Sequence, residues 1–116
     1  MNFPNDKQEK ASVGRLKQSI AYWCFSLEGE KWDLNQTCQV ALDLGCESVE
    51  LLTSEAELKI AQSFGLTCAL FGVDMAPDLP FLRGFNNPAH WPLLIEKIKT
   101  AIVLAAHYNC PNIVVF

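Results

Sequence analysis

The sequence lacks the features that define several large functional classes. No apolar run approaches the roughly 20 residues that a membrane span needs, and residues 1–17, which are polar and of mixed charge, lack the apolar core of a secretory signal. Lys and Arg number 9 against 13 Asp and Glu, for a net charge of -4, which argues against broad electrostatic binding to nucleic acid. We therefore expect a cytoplasmic protein that binds neither membranes nor nucleic acid.

Metal-binding motifs are also missing. The five cysteines form no C-x-x-C pair, and neither His90 nor His107 lies at zinc-finger spacing from them. Most of the cysteines are expected to be free thiols that serve as small buried hydrophobes; the alternative, a catalytic thiol, needs a histidine partner that the sequence does not identify. We expect neither histidine to bind a metal, and His107 suits the carboxyl end of a helix as a cation.

What the sequence does contain is a repeated order of apolar strand and capped helix. Four strands are predicted over residues 17–25, 48–52, 66–71 and 112–116, because these stretches are apolar in the manner of strands covered on both faces. Residues 1–16 offer little apolar surface to bury and are expected to form a flexible tail, followed by one domain over residues 17–116.

Three helices are predicted between the four strands. The first two have capping-box spacing at the start and a glycine at the end: Asp33 with Gln36 and then Gly45, and Ser54 with Glu57 and then Gly65. The third begins at Asn87-Pro88 and ends at Asn109. The long stretch over residues 72–88 is predicted to be a loop, and loops of this length are often functional.

Alternating strands and helices imply a parallel sheet. A doubly wound open sheet and a closed eightfold β/α (TIM) barrel both satisfy the pattern. The first strand-to-helix connection, residues 26–30, has no G-x-G-x-x-G and no phosphate-loop lysine, which removes the main reason to prefer a nucleotide-binding open sheet.

The length of the chain indicates how much of a barrel it can form. A complete eightfold barrel needs about 250 residues, whereas this chain has 116 and reaches Phe116 within its fourth predicted strand. We therefore expect an α/β fold that corresponds to the N-terminal half of a TIM barrel, with about four strands and three helices, in a truncated chain.

Five segments, in order and spacing, carry a family resemblance. They are Arg15-Leu16-Lys17-Gln18-Ser19-Ile20 leading into Tyr22-Trp23-Cys24-Phe25, Ser48-Val49-Glu50-Leu51-Leu52, Gly65-Leu66-Thr67-Cys68-Ala69-Leu70, Gly84-Phe85-Asn86, and Cys110-Pro111-Asn112-Ile113-Val114-Val115-Phe116. Together they resemble the first half of the bacterial hydroxypyruvate isomerases and related xylose-isomerase-like barrels.

The resemblance implies an isomerase that interconverts hydroxypyruvate and tartronate semialdehyde. That reaction needs a base to remove a proton next to a carbonyl and an acid to return it to the neighbouring carbon. It also implies a divalent metal that polarises the substrate oxygens in the full-length family. The family's catalytic carboxylates and metal ligands lie on strands of the second half, so no catalytic or metal residue and no cofactor is assigned to this chain, and independent activity is not expected.

Barrel active sites form at the carboxyl ends of the strands. The candidates there for a substrate pocket are Glu50, Trp23 and Asp74. Glu50 stands out because an unpaired carboxylate in a buried strand is costly; the alternative is a Glu paired with a lysine or with backbone amides. For Trp23, the alternative is packing in the core.

Two other functions remain open, and a third is disfavoured. A related sugar epimerase would use the same half-barrel, with a sugar in place of a keto acid as substrate. A zinc-dependent nuclease of the same superfamily is disfavoured, because it needs histidines at strand ends and a basic surface. A non-catalytic half-barrel would bind a partner or associate with itself through the exposed edges of its sheet.

Overall fold

The computed structural model describes residues 16–116, so the predicted tail lies, but for Leu16, outside the described residues. The chain forms a mixed α/β fold. Its elements in chain order are β1 (Ser19–Ala21), α1 (Trp23–Ser26), α2 (Leu34–Asp43), β2 (Ser48–Glu50), α3 (Glu55–Ser63), β3 (Phe71–Gly72), a 3-10 turn (Pro88–His90), α4 (Trp91–His107) and β4 (Ile113–Val114). None of these helices is both long and apolar enough to cross a membrane.

The strands are parallel and lie side by side in chain order. β1 pairs with β2 in the register Ser19 to Ser48, and β3 pairs with β4 in the register Phe71 to Ile113. Single bridges from Ser48 to Thr67 and from Leu52 to Phe71 join the two ladders. Right-handed crossovers between parallel strands in consecutive order place the connecting helices on one face of the sheet.

The helix boundaries follow from the residues that cap them. The Asp33 side chain accepts a hydrogen bond from the Gln36 backbone N–H, and the Gln36 side chain accepts one from Asp33 N, so the predicted capping box of α2 is confirmed. Ser54 and Glu57 form the same reciprocal pair at the start of α3. Past the end of α4, Asn109 adopts the left-handed backbone conformation, with φ of 56°, in agreement with the predicted stop.

The strands are shorter than predicted, and the first prediction, residues 17–25, is wrong over its second half. Tyr22 N donates to Glu50 O at 3.2 Å and closes the β1–β2 ladder. Trp23–Ser26 then forms a helical turn instead of a strand. The Phe25 ring stacks on that of Trp32, with 5.2 Å between the ring centroids, and Phe25 remains 37% exposed, so it packs locally and not in the core.

The third strand, predicted over residues 66–71, is regular only at Phe71–Gly72. Leu51 on the neighbouring segment has φ of 63°, a conformation that is uncommon for residues other than glycine, and its N–H donates to Leu70 O at 2.7 Å. This kink interrupts the alternation of side chains, so Val49 and Leu52 both lie in the core although they are three residues apart.

The core lies between the sheet and the three longer helices. Its sheet side is formed by the fully buried Val49, Leu52 and Phe71. Its helix side consists of small and aliphatic residues at helical spacing: Leu34, Cys38, Ala41, Leu58, Ala61, Ala101 and Ala105. The opposite face of the sheet carries the polar side chains of Ser19 and Glu50.

The cysteines largely follow their prediction as small buried hydrophobes. Cys38, Cys46 and Cys68 are buried, Cys110 is partly buried, and Cys24 is exposed; all five are free. Burial raises the pKa of Cys68 to about 12, so this thiol is protonated at neutral pH. Only the ionised thiolate is a good nucleophile, which argues against catalysis by Cys68.

Candidate ligand-binding site

A cavity of about 730 Å³ lies at the carboxyl ends of the strands. Each strand is followed, two or three residues after its end, by a residue that lines the cavity: Trp23 after β1, Thr53 after β2, Asp74 after β3 and Phe116 after β4. Its volume is within the range of about 300–1,000 Å³ that small-molecule sites occupy. The carboxyl edge of a parallel sheet is also where α/β proteins place their ligands.

The cavity wall is mainly apolar, with a few polar groups. Aromatic and aliphatic side chains form most of it, among them Trp23, Leu51, Phe81, Phe85 and Leu94. The polar groups come from the residues after β1, β2 and β3, from α1 and α3, and from the long loop: Tyr22, Ser26, Thr53, Glu57, Asp74, Asp78 and Arg83. An apolar pocket with a small number of convergent polar groups is typical of a site for a small organic ligand.

Two of the three residues predicted from the sequence line this cavity. Trp23 is half exposed at its wall. Asp74 also faces it, and its Oδ1 accepts a hydrogen bond of 2.9 Å from Ala76 N. Glu50 is not among the lining residues: its carboxylate accepts a hydrogen bond of 2.5 Å from the Ser19 hydroxyl on the neighbouring strand. That bond gives Glu50 a partner within the sheet.

The long predicted loop, which closes one side of the cavity, is attached to the rest of the molecule at both ends. Lys97 Nζ on α4 donates to Ala76 O at 2.9 Å. Phe85 N donates to Phe116 O at 2.8 Å, and Trp91 Nε1 donates to Phe85 O at 2.9 Å. These bonds hold the loop against α4 and the residues after β4, so its side chains occupy defined positions at the cavity.

Arg83 is a lining residue that the sequence analysis missed. Its Nε donates to Asp78 Oδ2 at 2.7 Å, and both side chains line the cavity. The sequence did carry a signal, because Arg83 is the sole Lys or Arg between Lys59 and Lys97 and lies in the long loop. Long surface loops often carry binding residues, so a lone cationic side chain in such a loop is a candidate for ligand binding.

Two further polar groups of the cavity have defined roles. Glu57 Oε2 accepts hydrogen bonds from Thr53 N at 2.7 Å and from Ser54 N at 3.1 Å, so this carboxylate caps α3. Burial raises the pKa of Tyr22, and the Glu57 carboxylate raises it further. The Tyr22 phenol is therefore neutral at physiological pH and is available as a hydrogen-bond donor.

The described residues do not fit the divalent metal that the family resemblance implies. Within residues 16–116, no three His, Cys, Asp or Glu side chains lie close enough together to hold a metal ion. The His107 ring packs against Tyr108 at 5.0 Å, and the buried Nδ1 of His90 has no hydrogen-bond partner in this part of the chain. No chemical step through a metal is derived for these residues.

Comparisons with known proteins yield no relatives. No protein-family model, no curated protein and no solved structure matches the chain. The geometry of the cavity is therefore the observation on which a function is proposed.

Proposed function

We propose that this chain forms the first four strands of a TIM barrel of the hydroxypyruvate isomerase type, and that its cavity binds a small hydroxy or keto acid. The observation that carries the proposal is the cavity at the carboxyl ends of four parallel strands in consecutive order. Consecutive order is the order of a β/α barrel, whereas doubly wound sheets reverse direction at a switch point.

The size and chemistry of the cavity support a small polar substrate. Its volume of about 730 Å³ accommodates a three-carbon acid with room for water. Trp23 and Phe81 offer apolar walls, while Tyr22 and Arg83 offer hydrogen-bond donors to the oxygens of a ligand. In this proposal, the chain's own residues bind and orient the substrate and exclude part of the solvent from it.

Turnover is assigned to residues beyond those of this chain. Isomerisation needs a base that removes a proton from one carbon of the substrate and an acid that returns it to the neighbouring carbon. Of the three lining carboxylates, Glu57 caps a helix, Asp78 holds Arg83 and Asp74 accepts a hydrogen bond from Ala76 N. The resemblance implies catalytic carboxylates on later strands. We therefore propose that the chain alone binds the substrate without converting it.

Two measurements on the purified chain test this function. Calorimetric titration with hydroxypyruvate is expected to show saturable binding, and NMR of the same mixture with Mg²⁺ or Mn²⁺ is expected to show no tartronate semialdehyde above a metal-free control. The absence of binding contradicts the proposed site. Metal-dependent turnover contradicts the assignment of catalysis to other residues.

Self-association is a second candidate role, favoured by the open edges of the sheet. Within residues 16–116, β1 pairs only with β2, and β4 pairs only with β3 and the residues near it. Unpaired strand edges invite pairing with another chain. If two copies were related by a twofold axis along the barrel axis, β4 of each copy would lie beside β1 of the other and parallel to it.

Analytical ultracentrifugation over a range of concentrations tests this second role. A dimer that forms as the concentration rises is the expected result. A monomer that persists at the highest soluble concentration contradicts self-association and leaves the ligand-binding proposal intact.

A further inference from the structure

We propose that Arg83, oriented by Asp78, binds the carboxylate of the ligand and makes the cavity selective for small acids over neutral polyols. The inference rests on the proposed function, because it names the group that recognises the substrate class in the same cavity.

The orientation of the guanidinium is fixed while most of its donors are unused. Arginine has five N–H donors in a planar fork. The bond from Nε to Asp78 Oδ2, at 2.7 Å, uses one of them, and no other hydrogen bond from Arg83 is formed within residues 16–116. The terminal N–H groups are therefore free for a ligand, and their fork matches the two oxygens of a carboxylate.

The exposure of Arg83 makes it accessible to a ligand. Its side chain is 40% exposed and that of Asp78 is 25% exposed, so an acid can reach the guanidinium from solvent. Because water reaches the pair as well, the contact depends on the two-point geometry of the guanidinium fork more than on exclusion of water.

Selectivity for an acid depends on direct contact with Arg83, because the lining as a whole carries more negative than positive groups. Arg83 is the sole cation among the lining residues, against the carboxylates of Glu57, Asp74 and Asp78. Without Arg83, an incoming carboxylate would meet three negative groups and no positive one, and like charges in a confined site repel. A neutral polyol would be largely insensitive to that change.

Glycerate and glycerol form a matched pair of probes, because they share a three-carbon skeleton and differ by a carboxylate in place of a hydroxymethyl group. By calorimetry, the unsubstituted chain is expected to bind glycerate more tightly than glycerol. Arg83→Gln is expected to weaken glycerate binding about tenfold or more, as expected for the loss of a charge-assisted bidentate contact, and to leave glycerol binding unchanged.

Three further variants separate recognition from a general loss of structure. Arg83→Lys keeps the charge without the fork and is expected to restore only part of the glycerate affinity. Asp78→Asn removes the charged partner that orients Arg83, and it is expected to weaken glycerate binding less than Arg83→Gln does. Lys99→Gln removes an exposed cation that pairs with Glu96 on α4, and it is expected to leave both affinities unchanged.

The possible results separate a failure of the role proposed for Arg83 from a failure of the proposed ligand site. Equal glycerate affinity for the unsubstituted chain and the Arg83→Gln variant overturns the role of Arg83, and so does tighter binding of glycerol than of glycerate. If neither probe binds the unsubstituted chain, the proposed ligand site itself is wrong. Circular dichroism shows whether each variant is folded, and Arg83→Lys serves as the test variant if Arg83→Gln is not.

Discussion

Glu55, at the start of α3, illustrates how single residues link the elements of this fold. Its Oε1 accepts a hydrogen bond of 2.9 Å from the Tyr108 hydroxyl at the end of α4, and it lies 3.4 Å from Lys59 Nζ. The hydrogen bond from Tyr108, followed by the charge of Lys59, lowers the pKa of the Glu55 carboxyl. The contact thus couples two helices through one exposed carboxylate.

Removal of the Tyr108 hydroxyl tests this coupling. In Tyr108→Phe, the pKa of Glu55 is expected to rise toward its ordinary value, because the largest cause of its depression is lost. The folded pKa is below the unfolded one, so the associated stability is present above the unfolded pKa and is lost as the pH falls through the folded pKa. NMR titration of the Glu55 side-chain carbonyl measures the shift; an unchanged pKa would show that Tyr108 does not act on it.

At the scale of elements, the caps of α2 and α3 and the approximate positions of the strands were readable from the sequence, whereas the extents of the strands were not. A capping box is local, since its two partners are three residues apart and need no other part of the fold. The extent of a strand depends on its neighbours. Residues 23–26 form a helical turn instead of a strand, and the kink at Leu51 occurs where its N–H pairs with Leu70 O on a separate segment.

The capping box of α2 gives a stability prediction with a matched control. Asp33→Ala removes the acceptor for Gln36 N, which lies at 2.8 Å, and is expected to lower the free energy of unfolding by about 1 kcal/mol. Asp43→Ala changes the same residue type at the other end of the helix, where a negative charge does not suit the helix dipole. Denaturant unfolding is expected to show a change within about 0.5 kcal/mol for Asp43→Ala; equal losses in the two variants would contradict the role of the cap.

Gly72 in β3 is a close-packed position beside the cavity. A Cβ added there would lie 2.9 Å from Thr53 Cγ2 and 3.5 Å from Leu52 O, so Gly72→Ala is expected to cost about 1 kcal/mol or more of stability through overpacking. Thr53→Ser removes the methyl group in the way. In a double-mutant cycle by denaturant unfolding, Thr53→Ser is expected to recover most of that loss, and strict additivity would argue against the contact.

At the scale of the whole molecule, the position of the cavity was more predictable than the polar groups that line it. Trp23 and Asp74 were expected at the carboxyl edge because they follow predicted strands, and both line the cavity. Glu50 was singled out on the cost of burying a charge, but its place beside Ser19 depends on the pairing of β1 with β2. Arg83 reaches the cavity through the folding of a long loop, and loop paths follow from contacts that sequence spacing does not reveal.

The most direct test of the account is to map where a small acid binds. Titration of the ¹⁵N-labelled chain with glycerate, followed by amide chemical shifts, is expected to give saturable changes at Trp23, Thr53, Asp74 and Arg83, which line the cavity. Gly45 and Gly65, which end the helices before β2 and β3 at the opposite edge of the sheet, are expected to stay unchanged. Changes that do not saturate, or that centre on those glycines, would contradict a ligand site at the carboxyl ends of the strands.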